Sequence, residues 1–165
     1  MILFLDFDGV LHSSRASEPL FVAVPRLARW LDGWAGVDVV ISSSWREIHP
    51  QHELVEMLGP VIGGRVVGCT PMLARARMLA WDRSIGTGEA PAHLRQWEVL
   101  AWLASSWQPR RPWVALDDQA FLFKPGCGQL VLCKPHEGVT AATLVKLDRH
   151  ARQAGLAPRR SAGTS

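Results

Sequence analysis

Asp6 and Asp8 stand two apart in Leu5-Asp6-Phe7-Asp8-Gly9, Asp117 and Asp118 are adjacent after Val114-Ala115-Leu116, and Ser42, Ser43 and Ser44 follow Val39-Val40-Ile41. Each polar group closes an apolar run. The first pair can divide labour in phosphoryl chemistry: one carboxylate attacks phosphorus to form an aspartyl-phosphate, and the other protonates the leaving alkoxide, then deprotonates the hydrolytic water. Asp6 takes the nucleophilic role and Asp8 that of general acid and base. Ser42 offers a hydroxyl and Ser43 a backbone amide to phosphoryl oxygens, with a helix N-terminus just beyond. Arg46, one turn further, points either at that phosphate or at Glu47 and solvent. Four carboxylates in one small space repel one another, so a hard divalent cation is the natural counter-charge. Mg²⁺, which keeps waters and phosphate oxygens in its shell, suits Asp6, Asp8, Asp117 and Asp118. With no nearby His or Cys at ligand spacing, zinc or a softer metal is disfavoured.

The elements that must position these groups follow from periodicity and from Gly and Pro. Ile2 to Leu5, Val37 to Ile41, Arg65 to Gly68, Trp113 to Leu116 and Gln129 to Cys133 read as strands, the first wholly apolar as a central buried strand should be. Pro25 to Trp34, His49 to Leu58, Leu94 to Trp107 and Thr140 to Ala154 read as helices, the second ended by Gly59 and Pro60. Leu94 to Trp107 is expected to bury Trp97, Leu100, Ala101 and Ala104, and Trp30, Trp97, Trp102 and Trp113 are assigned to the core. Asp82 to Ala92, with Gly86, Gly88 and Pro91, has loop composition and is expected at the rim of the site or as a flap over it. Strands alternating with helices imply an α/β, doubly wound, mostly parallel sheet in three layers, whose ligands bind at the carboxyl ends of its strands.

The chain has 165 residues, 48% of them hydrophobic, enough for a single domain, expected over residues 1–154 with a disordered tail over 155–165. The net charge is +3 and Lys plus Arg total 18, of which Arg supplies 15; the balance suits an anionic ligand without demonstrating nucleic-acid binding. Cys69, Cys127 and Cys133 form no metal-ligand pair, and an odd total argues against a disulfide framework. Met-Ile-Leu-Phe-Leu lacks a basic leader and meets Asp6 at once, and no segment is apolar for long enough to span a bilayer, so a cytoplasmic protein is expected.

Leu-Asp-Phe-Asp-Gly-Val-Leu at 5–11 resembles the first motif of the haloacid dehalogenase (HAD) superfamily, and Val-Ala-Leu-Asp-Asp at 114–118 its fourth. Val39 to Ser42 is similar to the second motif, an apolar strand ending in Ser or Thr. The third, a Lys or Arg before a helix, is matched loosely by Arg95, with His93, Arg77 and Lys124 as rivals. Together with His12, Ile-Ser-Ser-Ser-Trp-Arg, Val-Val-Gly-Cys-Thr-Pro and Arg-Gln-Trp-Glu-Val, these segments resemble the HAD domains of "Swiss Army knife" RNA-repair proteins over roughly residues 1–150. The resemblance implies a phosphatase with no cap or a minimal one, since the gap between Asp8 and Ser42 is too short for a large lid, and it implies nucleic-acid end phosphates as substrates.

Other readings compete. Asp-x-Asp-Gly also opens calcium loops, but Val10 and Leu11 stand where further oxygen ligands belong. A phospho-acceptor receiver domain places a single acceptor Asp on a later strand, whereas two acidic pairs fit hydrolysis. The serines alone read as a helix cap. His49 and His52 read as surface residues, and Trp45, beside the site, is the one indole placed to meet a substrate. A phosphorylated small metabolite, a phosphoprotein, or a non-catalytic phosphate-binding module remain alternatives to a nucleic-acid terminus, with no membrane partner.

Overall fold

All four side chains of Ile2–Leu5, strand β1, are buried, as the middle strand of a sheet covered on both faces requires. The computed structural model describes residues 1–15, 17–73, 93–106 and 110–159. Within them β1 is joined by β2 (Asp38–Ile41), β3 (Val66–Cys69), β4 (Trp113–Asp117) and β5 (Leu130–Leu132) in the order β3-β2-β1-β4-β5. Every pairing is parallel. The register carries the functional consequence. Leu5 lies opposite Ile41 on one side and opposite Leu116 on the other, so the next residue of each strand falls in one row: Ser42, Asp6 and Asp117.

Alternation along the strands feeds two cores. Leu3, Leu5, Val39, Ile41, Val114 and Leu116 pack with α1 (Val24–Asp32), α2 (Gln51–Met57), α3 (Gly59–Gly63) and α5 (Ala141–Gln153). Ile2, Phe4, Val40 and Ala115 pack on the other face with α4 (Leu94–Ser105) and Phe123. This is the expected three-layer, doubly wound α/β sheet, with its helices divided unequally between the faces. Local chemistry sets the helix ends: Pro25 sits in the first turn of α1, where its missing N–H costs nothing, and Thr140 and Thr143 form a reciprocal capping box on α5. Among the described residues no helix is long and apolar enough to cross a membrane.

α2 ends before Gly59 and Pro60, as expected, and Gly59, at φ +70°, turns the chain into α3 with Pro60 in its first turn. Two expectations are corrected. The buried side of α4 is Arg95, Glu98, Val99, Trp102 and Leu103, while Trp97 is 47% and Leu100 39% exposed. Two inward-facing charges had broken the apolar stripe on which the face was judged. Residues 155–159, expected to be disordered, fold back: Leu156 N–H donates to Ala151 O, Arg159 N–H donates to Gly33 O, and Pro158 bridges Trp34. Arg77, the 82–92 loop and 160–165 lie outside the described residues.

Candidate active site

Asp6, at the tip of β1, and Asp117, at the tip of β4, are neighbours across parallel strands, both almost fully buried. One carboxylate oxygen each from Asp6, Asp117 and Asp118 can be chosen so that all three lie within 4.8 Å of one another. Asp117 also accepts from the Gln119 backbone N–H at 2.8 Å. Its carboxyl is pushed up to about 7, first by burial and then by the charge of Asp6. Asp118 is raised for the same two reasons. One oxygen of Asp118, Oδ1, is buried without a hydrogen-bond partner, a costly state for a carboxylate unless a cation meets it. Oxygen donors, mutual repulsion and this orphaned atom fit a hard divalent ion.

Gly9 closes the other side. Its φ is +64°, and a methyl on its Cα would collide with the Asp118 carboxylate, so the turn after Asp8 can press against β4 only with glycine there.

Arg95, from the first turn of α4, reaches into the row of acids. Its Nη1 lies 3.3 Å from Asp117 Oδ2 and 3.5 Å from Asp6 Oδ1, and its side chain is 8% exposed. Burial alone would lower its pKa, but Asp6, Asp117 and Glu98 outweigh that and raise it, so the guanidinium stays charged. Of its rivals, Lys124 holds its ammonium over the Trp97 ring on the exposed side of α4. His93 precedes the helix at φ +63° with Nδ1 buried and unpartnered.

Asp8, expected among the metal ligands, is not part of the Asp6, Asp117 and Asp118 cluster. His12 Nε2 lies 3.0 Å from its Oδ1, and the Trp45 indole N–H donates to its Oδ2 at 2.9 Å. The chain turns between Asp6 and Asp8, so the second carboxylate leaves the row of strand tips. Its side chain is 47% exposed and that of His12 3%. A carboxylate only accepts, so whenever Asp8 is ionised His12 Nε2 is the donor between them. His12 packs edge-on to Phe21 and tilted against Trp45.

Arg46, expected at the phosphate, points its guanidinium at protein partners. Its Nε donates to Thr70 O, its Nη1 to Ser42 O and Ser43 O, and its Nη2 to Glu98 Oε2 at 2.5 Å. The guanidinium is spent on carbonyls at the ends of β2 and β3, and Ser43 O also accepts from the Arg46 backbone N–H. Ser42 and Ser43 are both buried. Ser42 stands beside Asp6 in the row, while the Ser43 hydroxyl accepts from Trp45 N–H, capping the short 3₁₀ turn Ser44–Glu47.

Glu98 and His12, which carry no role of their own in the sequence, are both buried beside the site. Glu98 is 3% exposed, binds Arg46, accepts from Leu73 N–H and lies 3.9 Å from Arg95 Nε. In the sequence it stands within Arg-Gln-Trp-Glu-Val, at i,i+3 spacing from Arg95, a spacing that any surface helix can show.

No curated protein and no solved structure matches the chain. A family of domains does match, over residues 2–144, and that span contains the strand tips, Arg95 and both acidic pairs. The chain belongs to that family, described as the HAD domain in Swiss Army Knife RNA repair proteins, which assigns it to the HAD-type hydrolases in general.

Proposed function

We propose that this protein is a phosphomonoester hydrolase that works through an aspartyl-phosphate on Asp6, with a phosphate at a nucleic-acid end as its substrate. The observation that carries the reading is the meeting of Asp6, Asp117 and Asp118 at adjacent strand tips, with Arg95 as their buried counter-charge. The nucleic-acid end rests on the family's description.

Asp6, Asp117 and Asp118 would hold a Mg²⁺, which when bound would neutralise the carboxylates and polarise a phosphoryl oxygen. Asp6 attacks phosphorus in line with the leaving oxygen, forming the Asp6 O–P bond as the ester P–O bond breaks. Asp8, taken up in its protonated form and open to solvent on one side, gives its proton to the departing alkoxide. Now ionised, it accepts from His12 and Trp45, which hold it towards the site, and removes a proton from water. That water attacks the phosphoenzyme and releases inorganic phosphate and free Asp6. Arg95 offsets charge on the equatorial oxygens, and Ser42 donates its hydroxyl to one of them.

Purified protein with Mg²⁺ should release phosphate from p-nitrophenyl phosphate, and Asp6→Asn should not; equal release by the two contradicts the assignment. A panel of end-phosphorylated oligonucleotides, sugar phosphates and phosphopeptides compared by kcat/KM tests the substrate: a flat or sugar-selective profile removes the nucleic-acid end.

A further inference from the structure

Past Ser42, at the same edge of the sheet, a cleft of about 250 Å³ opens between the end of β3 and the start of α2. His49, Pro50, Gln51, Thr70, Pro71 and Met72 are among its walls, and among the described residues no carboxylate lines it. Pockets that enclose a whole drug-sized ligand run to roughly 300–1,000 Å³, so this one suits a single ring system with its substituents.

Two contacts join it to the reaction centre. Arg46 lines the cleft and donates to Ser42 O. His49 lines it too, and its imidazole stacks on Trp45, whose N–H holds Asp8. An imidazole fixed by Trp45 and by Glu53, two proline rings and a thioether are flat or soft walls. They suit an uncharged planar ring.

The cleft also carries an unanswered polar group. Thr70 is 3% exposed and its Oγ1 is buried with no hydrogen-bond partner, a state that costs free energy until something meets it. Gln51 adds an amide whose only described partner is the weakly donating Cys69 thiol.

We propose that this cleft is the leaving-group subsite and receives the nucleobase next to the phosphate under attack, with Thr70 Oγ1 hydrogen-bonded to the base edge. The inference rests on the phosphomonoesterase reading and names what that site recognises.

The test compares nucleoside monophosphates, 3′ and 5′, with ribose 5-phosphate, which lacks the base. Wild type should favour a nucleotide, and Thr70→Val should cost about fivefold to tenfold in kcat/KM on it, through KM, as expected for one lost hydrogen bond. The same variant should leave ribose 5-phosphate hydrolysis unchanged. Its Tm should hold or rise, because the methyl replaces an unpaired hydroxyl. Gln51→Leu should repeat the selective loss. Equal losses on both substrates, no loss on either, or a fall in Tm with Thr70→Val would overturn the proposal. Binding of free nucleosides to the Asp6→Asn protein, followed by saturation-transfer NMR, needs no turnover. If no phosphomonoester is hydrolysed, the functional reading fails while this measurement still decides the cleft, and absence of a nucleoside signal, or one unaltered by adding Thr70→Val, sinks the subsite.

Discussion

Two carboxylates on one turn meet different surroundings, and the surroundings assign their work. Asp6 is buried among acids with Arg95 beside it, whereas Asp8 is half open and held by two N–H groups. Replacing Asp6 with Asn removes the nucleophile and should lower kcat at least about 10³-fold with the fold intact; near-normal phosphate release by a correctly folded variant refutes the role. Trp45→Phe keeps the ring and removes the indole N–H from Asp8. It should lower kcat about tenfold with little change in KM, since a loosely held acid and base loses efficiency before binding does, and a change confined to KM would place Trp45 in binding instead.

Among the elements, α4 has the plainest helical periodicity, yet it turns a different face to the core than its apolar residues mark. Arg95 and Glu98 occupy the inner face and leave Trp97 outside. Placing a charge inward is costly unless partners wait there, and the partners come from segments far along the chain: Asp6, Asp117, Arg46 and the Leu73 amide. Glu98 thus ties α4 to the exits of β2 and β3. Glu98→Gln leaves Arg46 without its counter-charge and should destabilise the protein by about 3–5 kcal/mol, a fall in Tm of roughly 10 °C readable by calorimetry. A Tm within a degree of wild type would mean that the tie is dispensable.

For the whole molecule, the row of acids makes stability depend on pH in a sense opposite to that of a salt-bridged carboxylate. Burial and the charge of Asp6 push the Asp117 carboxyl in the fold up from its ordinary value near 3.8 to about 7. Between those values the folded state holds a proton that the unfolded chain has lost, so this group's contribution falls as pH rises and is lost above about 7. On the proposed function, Mg²⁺ would compete with that proton. The rise in Tm on adding saturating Mg²⁺ should therefore be larger at about pH 8 than at about pH 6, and Asp118→Asn should diminish it. A Mg²⁺ response independent of pH, or none at all, counts against the metal site.

The sequence by itself determined the strands and the acids at their ends, because a buried parallel strand is a short run of uninterrupted apolar residues and a polar residue ends it. Asp6, Ser42 and Asp117 were each legible in this way before any pairing was known. Only the tertiary structure decided which of these groups meet. Strand order and register put Asp6 between Ser42 and Asp117, while packing brought Arg95 to Asp6 and Asp117, turned Arg46 inward and paired Asp8 with His12 and Trp45. The physical reason is range: periodicity reports the environment of a segment within a few residues, while the partner of a buried charge is fixed by packing between segments tens of residues apart.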